Sequence, residues 1–223
     1  IDNSAPYGRY GTTLLDPTSY SIDSVNASYI SALTGDLVFF TSGDLNVTTD
    51  LTFASGVTSV TFEANWDDGG SGDFKSIGYS IAVPYGNLAI YGADIYTGNL
   101  SAGASSSGKF IKLYTHTSSA TNSRIISIDG SVTTNNGAFT ATDDGNYSGG
   151  SDAFKAPSFQ SSGLISTGTG DITITAGSLT GPLKLATASG STVNVDTSSW
   201  SLDFASTVLS TTAATNTNIE FTN

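Results

Sequence analysis

The feature that most limits what this chain can fold into is a short opener that recurs along it. The copies are Gly35-Asp-Leu-Val-Phe39, Gly43-Asp-Leu-Asn-Val47, Gly86-Asn-Leu-Ala-Ile90 and Gly170-Asp-Ile-Thr-Ile174, with Gly98-Asn-Leu-Ser101 as a weaker one. In each, two apolar side chains two residues apart point to one face of an extended strand. The glycine is expected to supply φ > 0, and the Asp or Asn to fold its side chain onto the backbone that follows. Further short alternating apolar runs, bounded by Gly, Asp, Asn or Ser, lie at 57–64, 76–83, 110–114, 125–128, 138–142, 183–186, 193–196, 200–204 and 219–222. This is strand spacing, and only 26–33 could form a short helical turn.

Several of these strands recur after roughly 20 to 25 residues, the period of a solenoid with one coil per repeat. No strand of such a coil buries its apolar face alone, so stability comes from stacking coil on coil. Composition agrees. Ser, Thr, Gly and Asn number 35, 32, 25 and 14 of 223 residues, against two Glu, one Gln and no Met, which excludes a long-helix architecture. At 38% hydrophobic, with 10% aromatics, the chain can still fill a core. The organisation expected is an N-terminal arm or cap over residues 1–11, able to reach another subunit as an added strand, and a single β-solenoid domain over 12–223.

Nineteen acidic against seven basic residues leave a net charge of −12. Only two Arg occur, Arg9 and Arg124, so phosphate neutralisation on nucleic acid is not expected, nor is binding to anionic lipid. No apolar run approaches the ~20 residues of a membrane span. The first residues, Ile1-Asp-Asn3, read as a processed terminus or a fragment, and the sequons at Asn26, Asn46, Asn99 and Asn146 would permit glycosylation, so an extracellular or cell-surface location is expected.

Catalytic vocabulary is sparse. There is no Cys, and His116, the single imidazole, follows a strand and reads as an exposed loop residue. Two Gly-rich acidic excursions echo each other, Trp66-Asp-Asp-Gly-Gly-Ser-Gly-Asp-Phe-Lys75 and Thr142-Asp-Asp-Gly-Asn-Tyr-Ser-Gly-Gly-Ser-Asp-Ala-Phe-Lys155, and each follows a strand at what reads as an equivalent corner. Their oxygens suit a hard cation, so Asp67, Asp68, Asp73, Asp143, Asp144 and Asp152 are candidate calcium ligands, beside the plainer reading of solvated acidic loops. Among ten tyrosines, Tyr85, Tyr91 and Tyr96 lie close together in sequence and are the first candidates for an exposed, sugar-stacking cluster. Thr-x-Thr pairs such as Thr173-Ile-Thr175 do not recur at the constant spacing an ice-binding rank needs.

At Leu14-Leu-Asp-Pro17, Tyr20-Ser-Ile22 and Asn26-Ala-Ser-Tyr-Ile-Ser-Ala-Leu33 the chain begins to resemble the filamentous-haemagglutinin group of bacterial exoproteins. The likeness continues through Thr34-Gly-Asp-Leu-Val-Phe39, the opener at Gly43 and Leu51-Thr-Phe-Ala-Ser-Gly-Val-Thr-Ser-Val-Thr-Phe62, and covers residues 12–64. The resemblance implies a right-handed parallel β-helix within a two-partner-secreted adhesin, with no catalytic residues to carry over. The function expected is therefore that of a non-enzymatic structural or adhesive rod, an adhesin segment or filament-forming subunit. Its partners would be further copies end to end, the rest of a longer exoprotein, or cell-surface glycans. A carbohydrate-binding or polysaccharide-degrading β-helix is the alternative.

Overall fold

Where a glycine or Asx corner closes each alternating run, the chain returns to its starting register once per coil. A computed structural model describes residues 13–15, 18–66, 72–116, 124–143, 157–188, 190–197, 200–202, 208–211 and 218–222. The first coil holds β1 (Thr13–Leu15), β2 (Tyr20–Ile22) and α1 (Ala27–Ser31), and the second β3 (Gly35–Thr41), β4 (Leu45–Val47) and β5 (Leu51–Thr52). The third holds β6 (Val57–Ala64) and β7 (Phe74–Val83), and the fourth β8 (Asn87–Gly92) and β9 (Ile95–Ala102). The fifth holds β10 (Ile111–Thr115), β11 (Ile125–Ile128) and β12 (Val132–Thr134), and the sixth β13 (Phe139–Asp143), β14 (Ser158–Ser161) and β15 (Leu164–Ser166). Then come β16 (Ile172–Ala176), β17 (Ser178–Gly181) and β18 (Lys184–Thr187), followed by β19 (Thr192–Thr197), β20 (Trp200–Leu202), β21 (Val208–Thr211) and finally β22 (Asn218–Thr222).

These strands stack into three parallel columns. The first is β1-β3-β6-β8-β10-β13-β16-β19-β22. The second is β2-β4-β7-β9-β11-β14-β17-β20, and the third β5-β7-β9-β12-β15-β18-β21, because β7 and β9 are long enough to pair at both ends. The fold is a parallel β-solenoid, nine strands deep in its first column, or roughly 40 Å at ~4.8 Å per step. α1 takes the place of a strand at the head of the third column and packs Ala27 and Ile30 toward β5. Asp23 holds its approach, accepting the N–H groups of Val25 at 2.9 Å and Asn26 at 3.2 Å. Among the described residues no helix is long and apolar enough to cross a membrane.

Inward positions fall into register from coil to coil. Leu37, Val60, Leu88, Ile111, Phe139, Ile172 and Val193 form one such file in the first column, and Leu45, Phe74, Ile95, Ile126, Phe159 and Leu179 another in the second. All belong to one buried core to which the three columns contribute, with Phe62 packed 5.3 Å from Phe39 and 5.4 Å from Phe74. Coil length is looser than the expected 20 to 25 residues. Phe139 pairs with Ile172, 33 residues on, whereas Ile172 pairs with Val193, 21 on. The inward files fix the register, and additional residues are accommodated between the first and second columns, where loop length costs little. Both acidic excursions leave there, after β6 and after β13, as their sequence echo implies.

The openers work differently from the expectation. Their Asp and Asn side chains reach the next coil. Asp44 accepts the N–H of Asp73 at 3.0 Å, Asn87 that of Phe110 at 3.2 Å, Asn99 that of Ser131 at 2.9 Å and Asp171 that of Thr192 at 2.7 Å. Asp36 takes the hydroxyls of Thr58 and Ser59 at 2.5 and 2.7 Å. Outside the openers, Asp50, Asp94 and Asn136 do the same to Ser80, Ile125 and Thr169. Backbone N–H groups at or beside the corners thereby gain an acceptor. Among the opener glycines only Gly35 has positive φ, at 89°. The others are needed for proximity: a Cβ on Gly170 would strike the carbonyl of Gly137 in the coil below, and one on Gly86 would lie 2.8 Å from that of Thr58.

Candidate functional site

An elaborated surface lies on the second column, where β7 departs from its ladder. Ser76 pairs with Thr97 and Ser80 with Asn99, so residues 77–79 of β7 stand against Gly98 alone. The three residues arch outward over a glycine with φ of 80°, Gly78. Gly98 makes the arch possible, since a Cβ there would collide with the carbonyl of Tyr79. One foot is held from both sides: Asp50 in the coil below accepts the Ser80 N–H at 2.8 Å, and the Asn99 amide in the coil above donates to its hydroxyl at 3.3 Å. The arch carries Ile77, 52% exposed, and Tyr79, 37% exposed.

Beside the arch, Asn46, Lys75 and Tyr96 occupy one outward position in three successive coils. With Val47, Thr48, Asp73, Ile77 and Tyr79 they line a cleft of about 580 Å³. The Lys75 ammonium lies 2.9 Å from Asp73 and 3.2 Å from Asp44. Burial pulls its pKa down, but the hydrogen bonds it donates to those two carboxylates, and their charges, outweigh it and raise the net value above that of an ordinary lysine. Burial also raises Asp94, aided by the charge of Asp73 and opposed by the Ile125 N–H, by Arg124 and by the Tyr96 hydroxyl. Tyr96 is raised by burial and by the charges of Asp94 and Asp73; its hydroxyl donates to Asp94 at 3.4 Å. The result is a row of amide, ammonium and phenol in which carboxylates hold the ammonium and the phenol, with Ile77 and Tyr79 lining the same cleft. Such a set can bind a hydroxyl-bearing molecule through both donors and acceptors.

The tyrosines singled out by sequence do not form one cluster. Tyr85 sits in the turn between β7 and β8, and Tyr91 is on the first column beside Tyr114, ring centroids 5.4 Å apart. Tyr96 alone lines the cleft. Of the calcium candidates, Asp73 is engaged by Lys75, and Asp143 ends β13, where it accepts the hydroxyl of Thr115 at 3.4 Å. Asp67, Asp68, Asp144 and Asp152 lie outside the described residues, as do the N-terminal arm over 1–11 and the sequon at Asn146. Among the described residues no three His, Cys, Asp or Glu converge as a metal site would require. At two other sequons the amide is already in use, Asn26 on the Ser21 carbonyl and Asn99 on Ser80, while Asn46 faces the cleft.

His116 is a correction. It is 4% exposed, with Nε2 on the carbonyl of Ala64 at 2.7 Å and its ring edge-on to Tyr91. Thr140 and Thr173, outward on β13 and β16, do pair across neighbouring coils, but Asn194 follows them in β19 and ends the rank.

What sequence reasoning missed is the arch. Its signal is a change of parity: Phe74 and Ser76 are buried at even positions, Ile81 and Val83 at odd ones, with Gly78 between them. Such a switch within one strand requires a bulge.

Comparison with known proteins finds no family model, no curated protein and no solved structure that matches this chain. The class defined here is that of the parallel β-solenoids, and it rests on the strand order alone.

Proposed function

We propose that the chain is a rigid extracellular rod, an adhesin segment or filament subunit that works by holding its shape and by contact rather than by catalysis. The observation that supports this reading is the set of side-chain ties between consecutive coils, which adds to the three ladders and resists separation along the stacking axis. The resemblance of residues 12–64 to filamentous-haemagglutinin exoproteins points the same way, and calcium in the acidic excursions would stiffen the corners they leave from.

Negative-stain electron microscopy of the purified chain, with light scattering across a dilution series, tests the reading. Stiff rods, or end-to-end assemblies that survive dilution, are expected. So is adhesion of chain-coated beads to cell surfaces above that of albumin-coated beads. Isolated monomers that neither assemble nor adhere, or that cleave acidic polysaccharide, would overturn it.

A further inference from the structure

We infer that the cleft between the β7 arch and the row Asn46, Lys75, Tyr96 is a binding site for a neutral glycan. The inference rests on the adhesive part of the reading above and supplies its ligand class. Four observations carry it.

The first is the arch itself. A solenoid coil needs no three-residue bulge to continue, and β9 passes the same position with the single residue Gly98. The bulge places two large apolar side chains, Ile77 and Tyr79, in water, where they contribute nothing to the core.

The second is preorganisation. Ser80 is held by Asp50 from one coil and by Asn99 from another, and the Cβ-less Gly98 lets the arch sit directly on β9. A ligand meeting this surface would not have to order it first.

The third is the pairing of polar groups. Asn46 offers an amide donor and acceptor, Thr48 a hydroxyl, Lys75 an ammonium fixed by Asp44 and Asp73, and Tyr96 a phenol, all lining one cleft. Hydroxyls of a sugar act as donor and acceptor together, and a pyranose presents an apolar C–H face to a ring such as Tyr79.

The fourth is charge. Two carboxylates, Asp44 and Asp73, hold the ammonium of the cleft, a third, Asp94, accepts the Tyr96 hydroxyl, and the chain carries a net charge of −12, so a uronate, sulfate or phosphate would be repelled. Lys75 in turn occupies the place where a cationic ligand would seek those carboxylates.

The test is titration of the full chain with cellohexaose, mannohexaose and galactohexaose, with hexagalacturonate as the anionic control, followed by calorimetry and by chemical-shift changes at the cleft. At least one neutral hexasaccharide should bind while the galacturonate does not. Tyr79→Ala should weaken binding about tenfold or more with its melting temperature held, since the side chain packs outside the core. Tyr79→Phe should retain most of it, and Tyr114→Ala, on the other sheet, should leave it unchanged. Absence of binding by all three neutral probes at millimolar concentration overturns the inference, as does preference for the anionic probe or indifference to Tyr79→Ala. Rods in the microscope with no glycan binding would remove the site and leave the rod reading standing. Binding by chains that form no rods would do the reverse.

Discussion

The imidazole Nε2 of His116 lies 2.7 Å from the carbonyl oxygen of Ala64, reaching from the end of β10 to the end of β6 past β8 between them. A carbonyl only accepts, so Nε2 carries a proton and the ring acts as a strut, with Tyr91 edge-on to it at 6.1 Å between ring centroids.

Replacing His116 by Ala removes that donor and leaves a buried carbonyl unpaired. The expected loss of stability is about 1–3 kcal/mol. His116→Gln, which restores an N–H donor, should recover part of it. Urea unfolding of the three proteins reads the difference, and equal midpoints would show that water takes over the role.

The ties between coils predict a contrast between two substitutions at one exposed position. Asp171→Ala deletes the acceptor of the Thr192 N–H and should cost ~1 kcal/mol, whereas Asp171→Asn keeps the acceptor oxygen and should be near neutral. Asn99→Ala, three coils away, should add to it almost independently. Thermal melts of the single and double variants check both points.

Glycines in this chain are required for two separable reasons. At Gly170 a Cβ meets the carbonyl of Gly137, so Gly170→Ala forces two coils apart and should cost about 1–3 kcal/mol. At Gly181, with φ of 79° and open space within 4 Å of where a Cβ would stand, Ala suffers only backbone strain, and Gly181→Asn, which tolerates the left-handed region, should relieve most of it. Gly170→Asn should be no better than Gly170→Ala. Denaturation midpoints of the four variants separate the two causes.

Asp94 gives the stability a pH dependence of definite sign. Burial raises its pKa in the folded chain, so its charge opposes folding. Its contribution is most favourable below the ordinary aspartate value of about 4 and is lost as pH rises through the raised value. Asp94→Asn keeps the Oδ1 acceptor for Ile125 and removes the charge. The variant should melt higher than the parent at neutral pH, with the gap closing as pH falls below about 4. A variant that melts lower at pH 7 would mean that attraction to Arg124 outweighs burial.

The first column was largely legible from sequence. Leu88 and Ile90, or Ile172 and Ile174, are strong β formers two apart behind a glycine, and each pair is fully buried. Strands such as β12 and β17 were not, because Val132 and Leu179 each stand alone among Ser, Thr and Gly and gain their register from the coil below. His116 was misread because burial of a lone polar ring depends on a carbonyl 52 residues away. Of the candidate site, Tyr96 was singled out for its ring and Asp73 for its carboxylate; Asn46, Lys75 and Tyr96 become neighbours only through stacking, at separations no local pattern encodes.

In each backbone tie described above the acceptor belongs to the earlier coil and the N–H to the later one. The molecule therefore has a built-in direction of assembly. A chain delivered amino end first presents arriving turns with side-chain oxygens already in place for these ties, while the ladders draw on both sides, since Leu45 and Phe74 donate their N–H groups forward to the carbonyls of Asp73 and Asp94.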